Sequence, residues 1–412
     1  MWETVRLGDV CQIVNGGTPK SKVPAYWDGD IDWLTPKDMG KLPSRYINNT
    51  ERAITQDGLE NSSAKLIPSG SVLLSCRAPI GHIGINPKPI SFNQGCKGLI
   101  PNNEVIAEYL YYFLFASKKL LNDLGSGTTF KEISSKTLSH VPINLPPLAE
   151  QKRIVERLDK AFAEIDDLVS LGDAEEANGI SVMAAWLAEI FSQDIKGSRN
   201  VLSLSAGGAE APAKKGWKWK RLTEVAKLES GHTPSRKKPE YWGGEVKWVG
   251  IRDARESHGS LIHDTLQYTN ELGIQNSSAR ILPPNTVCLS RTASVGYVFR
   301  LGVPMATSQD FINWVCGDAL DPAFLQLLFM AEGEDIRRFG SGATHKTIYF
   351  STAKSFYICI PDVEDQKKIV AEYQSIVKHQ KALVASINQK NGLLKHLKAS
   401  ILKQELTPSE LA

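Results

Sequence analysis

The chain of 412 residues is longer than a single hydrophobic core usually supports, so two or more domains are expected. Its hydrophobic fraction of 42% and charged fraction of 23% are ordinary for a globular protein, and a net charge of +3 neither requires nor excludes a nucleic-acid partner. No apolar run approaches the roughly 18 residues of a membrane span, and the N-terminal residues lack a secretory pattern, which together predict a cytoplasmic protein.

Residues 1–146 are predicted to form a first globular domain of mixed α and β structure. Short β-rich runs, such as residues 71–75, lie between turns that are rich in Gly, Pro and Asn. Residues 104–124 carry apolar side chains at helical spacing and predict one helix in this domain.

Residues 147–195 predict a long spacer helix that begins at a proline with an acidic first turn. Its apolar residues follow the alternating steps of a coiled-coil core; the alternative is an amphipathic helix packed on its own domain. Gly172 and Gly179 weaken the far end of this helix and predict a point at which it can break. The core positions are assigned to Ile154, Leu158, Ile165 and Leu168.

Residues 196–216 have the composition of a linker, and residues 217–361 then repeat the first domain at a constant offset of 215 residues. The run Asn61-Ser62-Ser63-Ala64 returns letter for letter at residues 276–279, and no insertion is needed anywhere in the alignment. Two copies with so long a period are two similar domains rather than a solenoid. A duplicated domain suggests a target with two similar halves.

Residues 362–406 predict a second spacer helix, followed by a tail at residues 407–412. Over 40 residues at about 1.5 Å each span about 60 Å, whereas a linker of about 20 residues reaches only about 25 Å, so the second helix is expected to run back antiparallel to the first. The fold class predicted is α+β: two similar mixed α/β domains joined by two long antiparallel coiled-coil helices and related by a pseudo-two-fold axis. The second helix's core positions are assigned to Ile369, Tyr373, Ile376, Leu383, Ile387, Leu394, Leu397 and Ile401.

No catalytic or metal-binding pattern recurs in the two copies. The sequence contains no GxGxxG after a strand, no GxxxxGK[ST], no HExxH and no GxSxG. None of the six cysteines is matched by a cysteine in the other copy, so we interpret them as buried apolar residues rather than as a zinc site or disulfides. Asp38 and Asp253 do match, but a lone aspartate after a strand is typical of a turn or a helix cap.

Basic and hydroxyl side chains recur in two loops of each copy. The basic loop, residues 18–22 and 233–238, precedes a Tyr-Trp pair that we interpret as core. The Gly-Ser loop, residues 125–131 and 340–346, ends in a lysine, and a plain helix-terminating turn is the alternative for it. Such loops offer hydroxyls, backbone N–H groups and positive charge to phosphates, while two arginines after a β-rich run are candidate base contacts. The candidate contacts are Lys20, Lys22, Arg77, Thr128, Thr129 and Lys131 in the first copy, and Arg236, Lys237, Lys238, Arg291, Thr344, His345 and Lys346 in the second.

These features together resemble the specificity subunits of type I restriction-modification systems. The resemblance covers essentially the whole chain and rests on three patterns that occur twice: GGTP…YW…W…D (SGHTP in the second copy), NSSA…P…G…Q, and a GSG loop leading to EQKRIV or DQKKIV. Two tandem copies, each followed by a long helix, make the resemblance specific.

The resemblance implies that each globular domain is a target-recognition domain that reads one half of a bipartite site in double-stranded DNA. It implies that the helices set the gap between the halves and bind two modification (methyltransferase) subunits, which use S-adenosylmethionine to methylate adenine. Restriction (motor-nuclease) subunits would join that core. The chain itself would be non-catalytic and would bind no metal or cofactor. Two alternatives remain at this stage: a protein-interaction scaffold with paired adaptor domains, and a nicking or methylating enzyme with a fused specificity half.

Overall fold

The computed structural model describes residues 2–77, 79–126, 131–193, 201–209, 211–292, 294–342 and 346–407. It divides the chain into two compact units, residues 1–172 with 388–412, and residues 173–387. Each unit contains one globular domain together with parts of two helices of 44 residues. The predicted fold class is therefore confirmed as two similar mixed domains that share two long helices.

In the described residues of the first unit, ten strands form three sheets with the orders β1-β10, β2-β9-β6-β7 and β4-β3-β8-β5. The strands are β1 (Glu3–Arg6), β2 (Cys11–Asn15), β3 (Trp27–Leu34), β4 (Arg52–Ile54), β5 (Leu66–Ile67), β6 (Val72–Ser75), β7 (Ile83–Ile85), β8 (Ile90–Phe92), β9 (Cys96–Pro101) and β10 (Pro142–Leu145). The helices are α1 (Leu7–Val10), α2 (Pro36–Met39), α3 (Gln56–Glu60), α4 (Ala107–Ala116), α5 (Lys118–Leu124), α6 (Ser135–Ser139) and the beginning of α7 (Leu148–Phe191), with a short 3-10 turn at Pro24–Tyr26.

The second unit repeats this plan, with sheets in the orders β13-β23-β14, β15-β22-β19-β20-β17 and β18-β16-β21 and a small pair β11-β12. The strands are β11 (Ser192–Gln193), β12 (Val201–Leu202), β13 (Leu204–Ala206), β14 (Lys218–Arg221), β15 (Ala226–Ser230), β16 (Trp242–Val249), β17 (Leu261–Ile262), β18 (Gln267–Thr269), β19 (Val287–Ser290), β20 (Val298–Leu301), β21 (Ala306–Thr307), β22 (Phe311–Cys316) and β23 (Phe356–Ile360). The helices are α8 (Leu222–Val225), α9 (Ile251–Glu256), α10 (Glu271–Gln275), α11 (Pro322–Glu332), α12 (Phe350–Lys354) and the beginning of α13 (Val363–Leu406), with 3-10 turns at Pro239–Tyr241 and Gly333–Phe339.

Two local predictions differ from the structure. The helix predicted over residues 104–124 is divided at Ser117 into α4 and α5. Within residues 196–216, which were interpreted as a linker, the structure forms β13, which pairs with β23 and buries Leu204 completely. A short strand that lies among Ser, Gly and Ala residues has the same composition as a linker, so composition alone did not reveal it.

The core of each globular domain is completed by residues from both long helices. In the first unit, Ile154 and Leu158 of α7 and Leu402 and Leu406 of α13 pack into the same cluster as the domain's buried strands. In the second unit, Leu187 and Phe191 of α7 join Val370 and Tyr373 of α13 in the corresponding cluster. The helices are thus fixed to the domains by apolar burial, worth roughly 1.5–3 kcal/mol for each large side chain.

Within each unit the two helices run antiparallel. In the first unit Arg157 donates to Glu405 at 2.6 Å, and Lys398 donates to Asp166 at 2.5 Å. In the second unit the indole of Trp186 packs on Tyr373 with ring centroids 5.6 Å apart. As the residue number in α7 increases from one contact to the next, the residue number of its partner in α13 decreases, as an antiparallel pair requires.

The helix α7 is continuous, so the break considered between Gly172 and Gly179 does not occur. At Gly179 the structure explains the glycine, because a Cβ there would lie 1.9 Å from Oε1 of Gln380. The Gln380 amide instead crosses this point and donates to the carbonyl of Glu176 at 3.3 Å.

The coiled-coil core was assigned in the wrong register at several positions. Leu168, Leu383 and Leu397 are exposed and Ile376 is half-buried, whereas Ile154, Leu158, Ile165, Tyr373, Ile387 and Leu394 are buried. Ile369 and Ile401 are half-buried against the domain cores. At each wrong position the next residue is also apolar or lies further inward, as at Val169, Val377 and Val384. At Leu168 and Leu383 the following valine is more buried than the leucine, because an adjacent apolar pair fits two registers.

A buried glutamine joins each long helix to its own globular domain. The side chain of Gln151 donates from Nε2 to the carbonyls of Glu104 and Pro146, both at 2.8 Å, and its Oε1 accepts from the Ile106 N–H at 3.0 Å. Gln366 makes the corresponding three bonds to Ala319, Pro361 and Asp321 at 3.2, 2.9 and 2.8 Å. Both glutamines are completely buried. This explains why the glutamine of EQK and DQK recurs.

We expect Gln151→Leu to destabilise the first domain by about 4 kcal/mol, because it leaves two carbonyls and one N–H without partners at about 1–3 kcal/mol each. Urea unfolding of the full chain, followed by hydrogen exchange to separate the two domains, measures the effect. The control Lys152→Ala changes an exposed neighbour and should leave the free energy of unfolding within about 0.5 kcal/mol of the parent value. An unchanged midpoint for Gln151→Leu would show that the three bonds do not fix the helix.

Candidate DNA interface

A pair of tryptophans braces the basic loop of each globular domain. The rings of Trp27 and Trp33 meet edge to face with centroids 5.1 Å apart, and those of Trp242 and Trp248 do so at the same distance. The indole N–H of Trp33 donates to the Gly17 carbonyl at 3.0 Å. Buried indoles need such partners, so the tryptophans fix the loop as well as fill the core.

The other tryptophan of the first domain and both tryptophans of the second domain make equivalent hydrogen bonds to their basic loops. Trp27 donates to the Lys20 carbonyl and Trp242 to the Ser235 carbonyl, both at 3.3 Å. Trp248 donates to the His232 carbonyl at 3.1 Å. The two basic loops therefore have matching conformations although their side chains differ.

A second set of repeated residues holds the start of each loop. The hydroxyl of Thr18 donates to the side-chain oxygen of Gln94, and Thr233 donates to Gln309 in the same way. A Cβ at Gly16 would lie only 2.0 Å from the Asn93 carbonyl oxygen, which explains the repeated glycine. The matched aspartates are capping residues, as predicted: Asp38 and Asp253 accept from the backbone N–H groups of Thr35 and Gly250, both at 2.8 Å.

The basic side chains that were singled out on these loops are exposed. They are Lys20, Lys22, Arg236, Lys237 and Lys238. Lys238 also donates to the Tyr241 hydroxyl at 3.1 Å, which raises the pKa of its ammonium group. These loops therefore carry accessible positive charge on a rigid support, the arrangement that phosphate contacts need.

The Gly-Ser loops are closed in the same way in both domains. Ser126 and Glu132 exchange two backbone hydrogen bonds of 3.0 and 2.9 Å, and Ser341 and Thr347 exchange two of the same lengths. Lys131 and Lys346 lie exposed at the ends of these loops. The candidate residues Thr128, Thr129, Thr344 and His345 lie outside the described residues.

The two candidate base-reading arginines are used within their own domains. The Nε of Arg77 pairs with Glu132 at 2.9 Å. Arg291 donates from Nε to the Gln309 carbonyl at 3.0 Å and from Nη1 to the Ile348 carbonyl at 3.2 Å, and burial lowers the pKa of its guanidinium. Both arginines fasten the Gly-Ser loop to the sheet, and base contact by either stays a prediction.

A guanidinium also covers the tryptophan pair of each domain. The Cζ of Arg52 lies 3.5 Å from the centroid of the Trp27 ring and 5.7 Å from that of Trp33. The Cζ of Arg236 lies 4.7 Å from Trp242 and 5.2 Å from Trp248. Sequence reasoning missed Arg52, because its counterpart in the second copy is a glutamine, Gln267.

The model of the family described as "Type I restriction modification DNA specificity domain" matches residues 1–170 and 214–391. The chain belongs to this family. The two matched segments coincide with the two halves of the repeat, which supports DNA recognition over an adaptor scaffold.

Similar proteins match nearly all of this chain or a part of it. The type I restriction enzyme MjaIX specificity subunit of Methanocaldococcus jannaschii is 26% identical over 98% of this chain and 94% of that protein. The EcoR124I/EcoR124II specificity subunit of Escherichia coli is 34% identical over 39% of this chain and 40% of that protein.

Two solved structures show the same fold. A chain from a study of complex assembly and conformational transition of the type I R-M system has a TM-score of 0.72, with 20% identity, and covers 98% of this specificity subunit and 97% of that chain. The HsdS subunit from Thermoanaerobacter tengcongensis has a TM-score of 0.59, with 20% identity, over 98% of this chain and 96% of that one.

The described part of the specificity subunit contains no group of three or more His, Cys, Asp or Glu side chains placed to hold a metal ion. Cys11, Cys76, Cys96, Cys288 and Cys359 are buried and Cys316 is half-buried, as predicted for small apolar residues. No helix in the described ranges is long and apolar enough to cross a membrane.

Proposed function

We propose that this specificity subunit directs a type I restriction-modification complex to a bipartite DNA site, with each globular domain reading one half. The observation that carries the proposal is the tryptophan-braced basic loop, which has the same backbone conformation in both domains and different polar and basic side chains. A shared support with different readers is what two dissimilar half-sites require. The exposed lysines supply sequence-independent affinity for phosphates.

The two long helices are proposed to set the gap between the half-sites and to bind two methyltransferase subunits. Each helix leaves apolar side chains exposed, which normally marks an interaction surface when they are numerous. They are Leu168, Leu171, Ile180 and Val182 on α7, and Leu383, Leu393 and Leu397 on α13. The residues wrongly assigned to the coiled-coil core are therefore candidates for covering by a partner.

The chemistry is assigned to the partners rather than to this chain. We expect methyltransferase subunits to use S-adenosylmethionine and to methylate adenine, and restriction subunits to supply the motor and the nuclease. The specificity subunit would then act without a cofactor or metal of its own.

Co-expression of this chain with type I methyltransferase subunits tests the proposal. Single-molecule sequencing of plasmid DNA from those cells should reveal methylated adenines in two short sequences separated by a fixed gap of unspecified bases. Cells that lack the chain should show no such motif. A single continuous motif, or the same motif without the chain, would contradict the proposal.

A further inference from the structure

In both domains a guanidinium group lies over the tryptophan pair, but the arginine that supplies it occupies a different aligned position in each domain. In the first domain it belongs to Arg52, which begins β4 and lies directly opposite Trp33 in the strand ladder. In the second domain the residue opposite Trp248 is Gln267. The guanidinium there comes instead from Arg236, in the loop before the 3-10 turn.

The offset of 215 residues makes this an exchange of positions. Arg52 aligns with Gln267, and Arg236 aligns with Ser21. Each domain thus has one arginine at one of two aligned sites, and each arginine stacks on the tryptophan pair of its own domain. The placement of the guanidinium is retained while its source in the sequence is not.

These guanidiniums differ from those of Arg45 and Arg77, which are neutralised by carboxylates of their own unit. Arg45 is bound to the carboxylate of Asp159, and Arg77 to that of Glu132. Within the ranges that the structure describes, neither Arg52 nor Arg236 forms an ion pair, and both are exposed. Arg236 donates once, from Nη2 to Oε1 of Gln267 at 3.0 Å.

Stacking on indole rings holds a guanidinium plane in place but leaves its N–H edge accessible. A fixed, unneutralised fork of donors matches two adjacent hydrogen-bond acceptors. In the second domain, two concave surfaces share Arg236 and Gln267 in their lining: one also includes Trp242 and Tyr268, the other Arg252 and Asp310. The guanidinium of Arg236 is therefore open to a ligand that occupies either concave surface.

We infer that Arg52 and Arg236 are equivalent DNA-contacting residues, each donating to a pair of acceptors on the half-site that its own domain binds. The inference rests on the proposed function and assigns to it one contact in each domain. The acceptor pair is either the O6 and N7 edge of guanine or two phosphate oxygens.

The test uses the full chain assembled with its methyltransferase subunits. The wild-type complex first defines the methylated motif and its affinity for an oligonucleotide that contains it. The variants are Arg52→Gln, Arg52→Lys and the exchange Ser21→Arg/Arg52→Gln in the first domain. Arg236→Ser, Arg236→Lys and the exchange Arg236→Ser/Gln267→Arg are their counterparts in the second.

Arg52→Gln should weaken binding roughly tenfold or more, with the effect confined to one half-site. The exchange Ser21→Arg/Arg52→Gln should recover most of the loss, because it rebuilds in the first domain the arrangement found in the second. Arg52→Lys keeps the charge but not the fork and should recover less. The second-domain variants should affect only the other half-site.

Two readouts identify the acceptor. Contact with guanine predicts that one position of the half-site becomes relaxed in the methylated motif. Contact with phosphate predicts an unchanged motif and a salt dependence of affinity reduced by about one phosphate. Lys119→Gln removes an exposed charge of α5 in the same domain and serves as the control for general electrostatic loss.

A role confined to stability would lower the melting temperature without changing motif, affinity at low temperature or salt slope, and would overturn the inference. So would a folded exchange variant that does not recover binding. If the wild-type complex methylates no bipartite motif, the proposed function itself fails. If it does and the arginine variants match it, only the present inference fails.

Discussion

Replacing residues 1–146 by the first domain of another specificity subunit will change one half of the methylated motif and leave the other half and the gap as they are. The physical reason is that each domain has its own hydrophobic clusters and its own braced loops. The junction at residue 147 keeps Gln151 in the recipient. Because Gln151 binds main-chain atoms of Glu104, Ile106 and Pro146, a donor domain with the same backbone can satisfy it whatever its side chains.

One side-chain contact across this junction has to be retained in the design. Arg45 of the first domain binds both oxygens of Asp159 on α7, and the Tyr112 hydroxyl also donates to Asp159 at 2.5 Å. A donor without that arginine leaves a half-buried carboxylate without its cation, which costs stability for reasons unrelated to DNA. Such a donor is therefore combined with Asp159→Asn.

The reciprocal replacement of residues 217–361 is the matched experiment, and it should change the other half only. Both motifs are read by single-molecule sequencing of plasmid DNA from cells that co-express the methyltransferase subunits. A replacement that alters both halves would mean that the domains do not read independently.

The duplication explains why so much of the fold could be predicted from the sequence. Residues that recur at one fixed offset, such as Gly16, Thr18 and Gln94, prove to be those that hold the loops together. The helices were predicted at residues 147–195 and 362–406 and run from Leu148 to Phe191 and from Val363 to Leu406. Both the repeat and the helix-start signals can be read directly from the sequence, without knowledge of which residues are neighbours in space.

What the sequence did not predict depends on tertiary neighbours. Residues such as Leu383 and Val384 both fit a coiled-coil spacing, and only the packing of the partner helix decides which one lies inside. The strand β13 has no counterpart in the first half of the chain, so no repeat could indicate it. Arg52 was missed for the opposite reason, since a search for matching letters overlooks a group that is supplied from two different positions.

Lengthening both helices by four residues should widen the gap in the methylated motif by about two base pairs while both half-sites keep their bases. Four residues add about 6 Å of helix, and successive base pairs are about 3.4 Å apart. The insertions belong after Asp167 in α7 and after Gly392 in α13. These points leave the Phe162–Lys398 contact of the first unit and the Gly179–Gln380 contact of the second unit unchanged.

Inserting in both helices matters because the two pack side by side, and a one-sided insertion displaces every later core residue of only one partner. An insertion of four is tolerated in a coiled coil as a local change of winding. The one-sided insertion after Asp167 is therefore the control, and we expect it to lower the melting temperature and the yield of assembled complex. The matched insertion should retain both and move only the gap. A stable, active complex with the original gap would show that the distance between half-sites is not set by these helices. A wider gap with altered bases would show that helix length and base reading are coupled.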